Sequence, residues 1–193
     1  MTTKVRTSGY EETKRELDAS LQRFNHDYFD LVLIHRPMGD DAETYRALED
    51  AYHDGKTRAI GLSNFNAAQV QVIIDGATVE PTVDQIETHL MWQQKRMHAY
   101  LTSRGMVHES YVPLGECEPG FLDNPTLVKM ARRYQVTPAQ LTLRFMNQEG
   151  IVIIPKTLNP QHMAENLDIF SFTIDQDDLR ILEGLDQKKA LDD

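Results

Sequence analysis

Short apolar runs return at a steady interval along this chain, and that rhythm constrains its fold more than anything else in it. Their centres lie near Leu31, Ile60, Asp84 and His108, with a last one near Ile153. A spacing of roughly 25 residues between the first four leaves room for one helix, so consecutive strands are joined by right-handed crossovers and lie parallel. The first run, YFDLVLIHRP from Tyr28 to Pro37, is the most telling. Its middle, Leu31 to Ile34, is continuously apolar, as expected of a strand buried on both faces. His35 stands where the run ends, and Pro37 stops the strand. A titratable ring at the carboxyl end of a parallel strand is where α/β folds place chemistry. The same position also suits a histidine that only caps a strand and bonds a neighbouring loop.

Between the strands the helical pattern is regular. Ser8 is the expected N-cap of a helix over Tyr10–Phe24, with Leu17, Leu21 and Phe24 on one face. Asp40 or Asp41 starts a second helix carrying Tyr45, Leu48 and Tyr52, which Gly55 stops. Strand Arg58–Leu62 ends at Ser63 and Asn64, a helix runs from about Ala67 to Ile74, and strand Thr82–Ile86 follows. Then come a helix over Gln93–Arg104, strand Met106–Tyr111, and two helices with Pro125 and Pro138 in their first turns. Strand Ile151–Ile154 precedes a helix opened by Asn159-Pro160 and a final one capped by Asp175.

Two architectures accommodate this order, a doubly wound sheet and a (β/α)8 barrel. A dinucleotide-binding doubly wound sheet carries Gly-x-Gly-x-x-Gly after its first strand. None of the ten glycines is arranged that way, and there is no P-loop. The barrel is favoured, yet a barrel typically takes ~250 residues and eight strands. The chain has 193 residues and about five visible strands, so it reads as a partial (β/α)8 TIM barrel lacking its first two strands and most of the third. Residues 1–193 read as one incomplete domain.

Composition narrows the partners. Thirty Asp and Glu stand against 20 Lys and Arg, which argues against a nucleic-acid or anionic-membrane surface. The single cysteine, Cys117, cannot form an internal disulfide, and no apolar run approaches the ~18 residues a bilayer requires. A cytoplasmic location follows as the expectation. The histidines at 26, 53, 89, 98, 108 and 162 show no metal-ligand spacing and read as surface residues, so no metal is expected.

What stands at the strand ends is more informative. His35, Ser63-Asn64, Gln85, Tyr111 and Lys156-Thr157 all lie near carboxyl ends, which a barrel gathers on one rim. Lys156, followed by the helix opening near Asn159-Pro160, suits a phosphate by charge and by free backbone donors.

Several longer stretches carry a resemblance. TTK at Thr2 to Lys4, DYFDLVLIHRP, GKTRAIGLSNF from Gly55 to Phe65, VDQIETH, SYVPLG and IPKT resemble the aldo-keto reductases, of the bacterial kind related to 2,5-diketogluconate reductases. The resemblance runs from the first residue to about Asp186. It implies a TIM barrel that binds NADPH without a Rossmann fold and reduces small-molecule aldehydes and ketones. Position by position, it places His35 on the histidine that orients the substrate carbonyl. Lys4 falls on the lysine that lowers the pKa of the catalytic tyrosine, although by itself it reads as a solvated residue at a frayed end. Ser63, Asn64 and Gln85 fall on the groups that hydrogen-bond the nicotinamide amide, and Tyr111 on the ring stacked against it. Lys156 and Thr157 fall on the 2′-phosphate site, Glu165 and Asn166 on the adenine contacts.

Departures from the family pattern set further expectations. The family's tyrosine acid and supporting aspartate follow its second strand and have no counterpart here; Tyr10 and Tyr28 are not substitutes. His162 replaces the usual arginine, while Arg6 and Leu90 replace an aromatic and a proline, which alters the substrate pocket. Turnover is therefore expected to be impaired. A non-catalytic NADP(H)-binding or interaction protein, or a gene remnant, fits the same residues. Leu31–Ile34 and Ile151–Ile154 are expected to be unpaired edges through which the chain self-associates.

Overall fold

The computed structural model describes Met1–Leu191. Strands and helices alternate: β1 Thr2–Val5, α1 Tyr10–Phe24, β2 Leu31–Ile34, α2 Asp41–His53, β3 Ile60–Ser63, α3 Ala67–Gly76, β4 Val83–Glu87, α4 Lys95–Ser103 and β5 Val107–Tyr111. After a 3-10 turn at Gly115–Cys117 come α5 Pro125–Tyr134, α6 Pro138–Gln148, β6 Val152–Ile153, α7 Pro160–Leu167 and α8 Gln176–Glu183. This is an α/β fold, a (β/α)8 barrel in part.

The chain forms two compact units. Met1–Ile86 with Ala99–Val107 make the first; Glu87–His98 with the residues from His108 onward make the second. In the first unit β1 pairs in parallel with β2, β2 with β3 and β3 with β4. The register sets Thr2 against Leu31, Val32 against Ile60 and Ser63 against Gln85. Val32, Leu33, Ile34, Ile60 and Leu62 are fully buried, so the continuous apolar runs do belong to strands covered on both faces. Gly61 is dictated by this closeness. A Cβ there would sit 2.6 Å from the Val83 carbonyl oxygen and 2.9 Å from Leu33 Cδ2, too near for any other residue.

In the second unit β6 pairs in parallel with β5, setting Glu109 against Val152. Helices α5, α6 and α8 bury Leu127, Met130, Leu141, Phe145, Leu179 and Leu182 in one apolar cluster. Pro125 and Pro138 occupy first-turn positions, behind Asn124 and a Thr137/Gln140 capping box. Asn159 and Asp175 cap α7 and α8.

Some expectations need correction. Ser8 does not cap α1: the N-cap is Gly9, and the Ser8 hydroxyl bonds to the Met38 carbonyl instead. Asp40 precedes α2 without a capping bond from its side chain. Strand β2 is not an edge, because Thr2–Val5 form a strand that pairs along its whole length. Strand β6 is shorter than expected, two residues, but it does have one strand partner, β5, among the described residues, as an edge strand does. His89 and His108 are not surface residues but 1% and 2% exposed. Leu90 is wholly buried in the apolar cluster of the second unit.

Candidate active site

In the first unit the polar residues at the ends of β1 to β4 meet in one hydrogen-bonded cluster centred on Ser63. Ser63 is fully buried and its Oγ donates to the Gln85 carbonyl oxygen at 2.8 Å. Its lone pairs accept from Lys4 Nζ and from Asn64 Nδ2, each at 3.2 Å. Asn64 Nδ2 also reaches the His35 carbonyl oxygen at 3.1 Å, and the Asn64 backbone N–H donates to the Gln85 carbonyl at 3.0 Å. Asn64 has φ of 63°, a left-handed conformation that asparagine adopts more readily than most residues. That turn converts the strand into the approach to α3, whose cap is the Asn66/Gln69 box.

Lys4 is thus not a frayed terminal residue. It lies within β1, half-buried, opposite Leu33 of β2. His35 follows β2 directly, half-buried, with its N–H bonded to the Val5 carbonyl at 3.0 Å. Burial pushes its imidazole pKa down, and the charges of Lys4, Arg6 and Arg36 push the same way. The ring is therefore neutral at neutral pH, able to offer a hydrogen bond without carrying a charge.

In the second unit Tyr111 ends β5, half-buried. Lys156 and Thr157 follow β6 and line an open groove of about 650 Å³ that Asn166 of α7 also lines. Thr157 Oγ1 accepts from the Asn159 N–H at 3.1 Å, which joins this turn to the N-terminus of α7. Glu165 lies one turn along α7, where its carboxylate accepts from Gln161 Nε2 at 2.8 Å. The structure therefore brings together Lys4, His35, Ser63, Asn64 and Gln85 in one unit and Lys156, Thr157 and Asn166 in the other. No group of three or more His, Cys, Asp and Glu that could hold a metal ion exists among the described residues.

Two buried features escaped the reading of strand ends. Asp84, beside Gln85, is 0% exposed, and burial pushes its carboxyl up to about 7. A carboxylate next to Val83 within a strand expected to lie inside the sheet, VDQI, was the available signal. The other is a chain of contacts from His98 Nδ1 to His108 Nδ1 at 3.2 Å and from His108 Nε2 to Thr88 Oγ1 at 2.7 Å.

Comparison with known proteins bears directly on this arrangement. The pattern of the aldo/keto reductase family matches residues 2–187. Glyoxal reductase of Bacillus subtilis is 38% identical over 184 residues, covering 95% of this chain and 66% of its own length. Methylglyoxal reductase DkgA of Escherichia coli K12 is 33% identical, covering 99% and 70%. A Bombyx mori aldo-keto reductase solved in complex with NADP superposes with a TM-score of 0.92 at 29% identity, covering 98% of this chain and 68% of that one. A second silkworm aldo-keto reductase, complexed with NADPH, gives 0.93 at 34% identity, covering 98% and 64%. The chain thus spans about two thirds of the length of these relatives. Matched along nearly its whole length in sequence and in fold, the chain belongs to the aldo/keto reductase family.

Proposed function

We propose that this chain provides the cofactor-binding side and the carbonyl-orienting histidine of an NADPH-dependent reductase of small aldehydes and ketones. The observation that carries the reading is the Ser63 cluster, in which Lys4, Asn64 and Gln85 are tied to one buried hydroxyl. The Asn64 and Gln85 side-chain amides offer both donors and acceptors, the set that recognises a carboxamide, and the Ser63 hydroxyl serves to anchor them. The relatives solved with NADP and NADPH support the same choice of cofactor.

NADPH, when bound, supplies the hydride. Ser63, Asn64 and Gln85 fix the nicotinamide carboxamide, and Tyr111 offers its ring face. Lys156, Thr157 and the amino end of α7 hold the 2′-phosphate, with Asn166 and Glu165 on the adenine side. Neutral His35 donates a hydrogen bond to the substrate carbonyl oxygen and so orients it. Lys4 sets a positive charge at the end of β1.

The general acid is the weak point. Tyr10, Tyr45, Tyr100 and Tyr134 commit their hydroxyls to Asp50, Val79, Gln71 and the Asp175/Asp178 pair respectively. Arg58 stacks over the ring of Tyr28, which stands before β2, opposite the end that carries His35. Carbonyl reduction by these residues alone lacks a positioned proton donor, which typically removes ~10²–10⁴-fold in rate. That observation favours a second reading, a non-catalytic NADP(H)-binding protein. Titration with NADPH, followed by nucleotide fluorescence, is expected to give saturable binding that Lys156→Met weakens by about tenfold, as for loss of a charge-assisted phosphate contact. Absence of binding at millimolar nucleotide overturns both readings. Oxidation of NADPH on addition of glyoxal or methylglyoxal supports the first, and binding without oxidation the second.

Residues 1–193 are taken as one incomplete reductase domain, although the last two lie outside the described residues. No helix among the described residues is long and apolar enough to cross a membrane. The exposed, unpaired Cys117 suits a reducing, cytoplasmic setting. Self-association is assigned to β1, in place of β2, and to β6, because each has a single strand partner among the described residues. Sedimentation velocity is expected to show concentration-dependent oligomers, and a single monomeric species across the accessible range would remove this assignment.

A further inference from the structure

The chain carries a formal net charge of -10, yet the end of the first unit that holds His35 is cationic. Strand β1 pairs with β2 so that Lys4 stands opposite Leu33 and Val5 opposite Ile34. The next step of that register sets Arg6 opposite His35, whose N–H bond to the Val5 carbonyl at 3.0 Å carries the pairing past the strand end. Paired strands lie about 4.8 Å apart, so the stem of Arg6 starts beside the imidazole. Residues two apart in a strand share a face, which places Arg6 on the side of Lys4. Lys4 Nζ reaches Ser63 Oγ at 3.2 Å, so Arg6 lies just beyond the Ser63 cluster toward the strand end. Arg36 follows His35 directly.

Both arginines are exposed, and neither has an ion pair or a side-chain hydrogen bond among the described residues. Arg23, Arg46, Arg58 and Arg180, by contrast, each lie against a carboxylate. The charges that act on His35 are those of Lys4, Arg6 and Arg36, with no carboxylate among them. A guanidinium without a partner presents a planar fork of donors that matches a carboxylate or a phosphate. Arg6 also stands where the family pattern carries an aromatic side chain, so a charge replaces an apolar wall at this point.

We propose that Arg6, assisted by Arg36, is a specificity-determining residue that selects carbonyl compounds carrying an anionic group, a carboxylate or a phosphate monoester, over neutral ones. The assignment rests on the reading of His35 as the residue that orients the carbonyl. The anion lies against the Arg6 guanidinium while the carbonyl oxygen takes the His35 hydrogen bond, so the two groups of the substrate are separated by only a few bonds.

Isothermal titration of the full chain saturated with NADP⁺, which cannot reduce a carbonyl, tests this with two matched pairs of ketones. Levulinate is set against 2-pentanone, which has the same carbon chain without the carboxylate, and dihydroxyacetone phosphate against dihydroxyacetone. The anion is expected to bind at least about tenfold tighter than its neutral partner, as for a charge-assisted hydrogen bond. A preference confined to one pair supports the proposal and names the anion. Arg6→Gln, at an exposed position that leaves the fold intact, is expected to remove most of the preference while binding of 2-pentanone and NADP⁺ is unchanged. Arg36→Gln is expected to remove a smaller part. The His35 ring, followed by NMR, supplies a readout that a structural role would not move. Burial holds its pKa down and the Arg6 charge adds to this, so the pKa rises in Arg6→Gln. Levulinate is expected to raise it in the parent chain but not in the variant. Equal binding within both pairs, or a preference that survives Arg6→Gln, would overturn the proposal. Loss of NADP⁺ affinity in Arg6→Gln would overturn it too, by assigning the arginine to the cofactor. If NADP⁺ itself fails to bind, the cofactor reading falls, and the same four titrations on the chain alone still decide whether Arg6 selects anions.

Discussion

Asp84→Asn is expected to stabilise the fold by on the order of 3–4 kcal/mol near pH 8 and to leave it almost unchanged near pH 4. Asp84 is fully buried in β4, and neither of its carboxyl oxygens has a hydrogen-bond partner among the described residues. Burial pushes its carboxyl from 3.8 up to about 7, while the Phe65 N–H draws it weakly down without completing a hydrogen bond. The sign follows from linkage. Below 3.8 the group is protonated in folded and unfolded chains alike and imposes no charge penalty. As pH rises toward 7 the unfolded chain releases the proton and the folded one retains it, so stability falls by ~1.4 kcal/mol per pH unit. Above that the folded chain carries a buried, unpaired carboxylate. Asparagine has nearly the same shape and no charge, so the substitution removes the pH-dependent part. Urea unfolding at the two pH values reads it directly. An equal effect at both would mean that Asp84 is already ionised and paired, contrary to its surroundings.

Such a residue marks the boundary of what the sequence shows. The apolar runs of β2 and β3 were legible because burial on both faces leaves a continuous pattern, and Gly61 fits the same logic of close strands. The caps at Asn159 and Asp175, and Pro125 and Pro138, were legible because each is a local rule. Ser8 failed because the competing interaction is not local: its hydroxyl is held by Met38 and the Asp40 N–H, some thirty positions away. Lys4 read as a loose terminal lysine for the same reason. Only pairing of Thr2–Val5 with Leu31–Ile34 puts it beside Ser63. The same pairing removed β2 from the edge. His89 and His108 look like surface residues in sequence, since their partners Glu87 and Thr88 become neighbours only once β4 turns into the following loop. The strand-end residues of the candidate site were visible individually; that four of them share one hydrogen-bonded cluster with Lys4 (His35 and Gln85 through their backbone carbonyls) was not, because partnership across four strands leaves no periodic trace.

Ser63→Ala tests that partnership, and its expected effect is at least a tenfold loss of NADPH affinity together with a loss of ~1–3 kcal/mol in stability. The serine hydroxyl is saturated. It donates once, to the Gln85 carbonyl, and accepts twice, from Lys4 and Asn64. Alanine leaves the Gln85 carbonyl without that donor at a fully buried position, which accounts for the stability term. It also removes the anchor that Lys4 Nζ and Asn64 Nδ2 share, leaving Asn64 Nδ2 on the His35 carbonyl, so the groups proposed to hold the carboxamide are less firmly oriented. A purely structural serine predicts the first effect without the second: lower resistance to urea, but an unchanged dissociation constant while the chain remains folded. The coupling to Lys4 separates the two further. In a double-mutant cycle with Lys4→Met, residues joined through one hydrogen bond interact by ~0.5–3 kcal/mol, whereas independent sites add. Non-additive losses of NADPH affinity would tie Lys4, from β1, to the same cofactor site as Ser63 and Gln85. Simple additivity would reduce their hydrogen bond to a packing contact and withdraw Lys4 from the site.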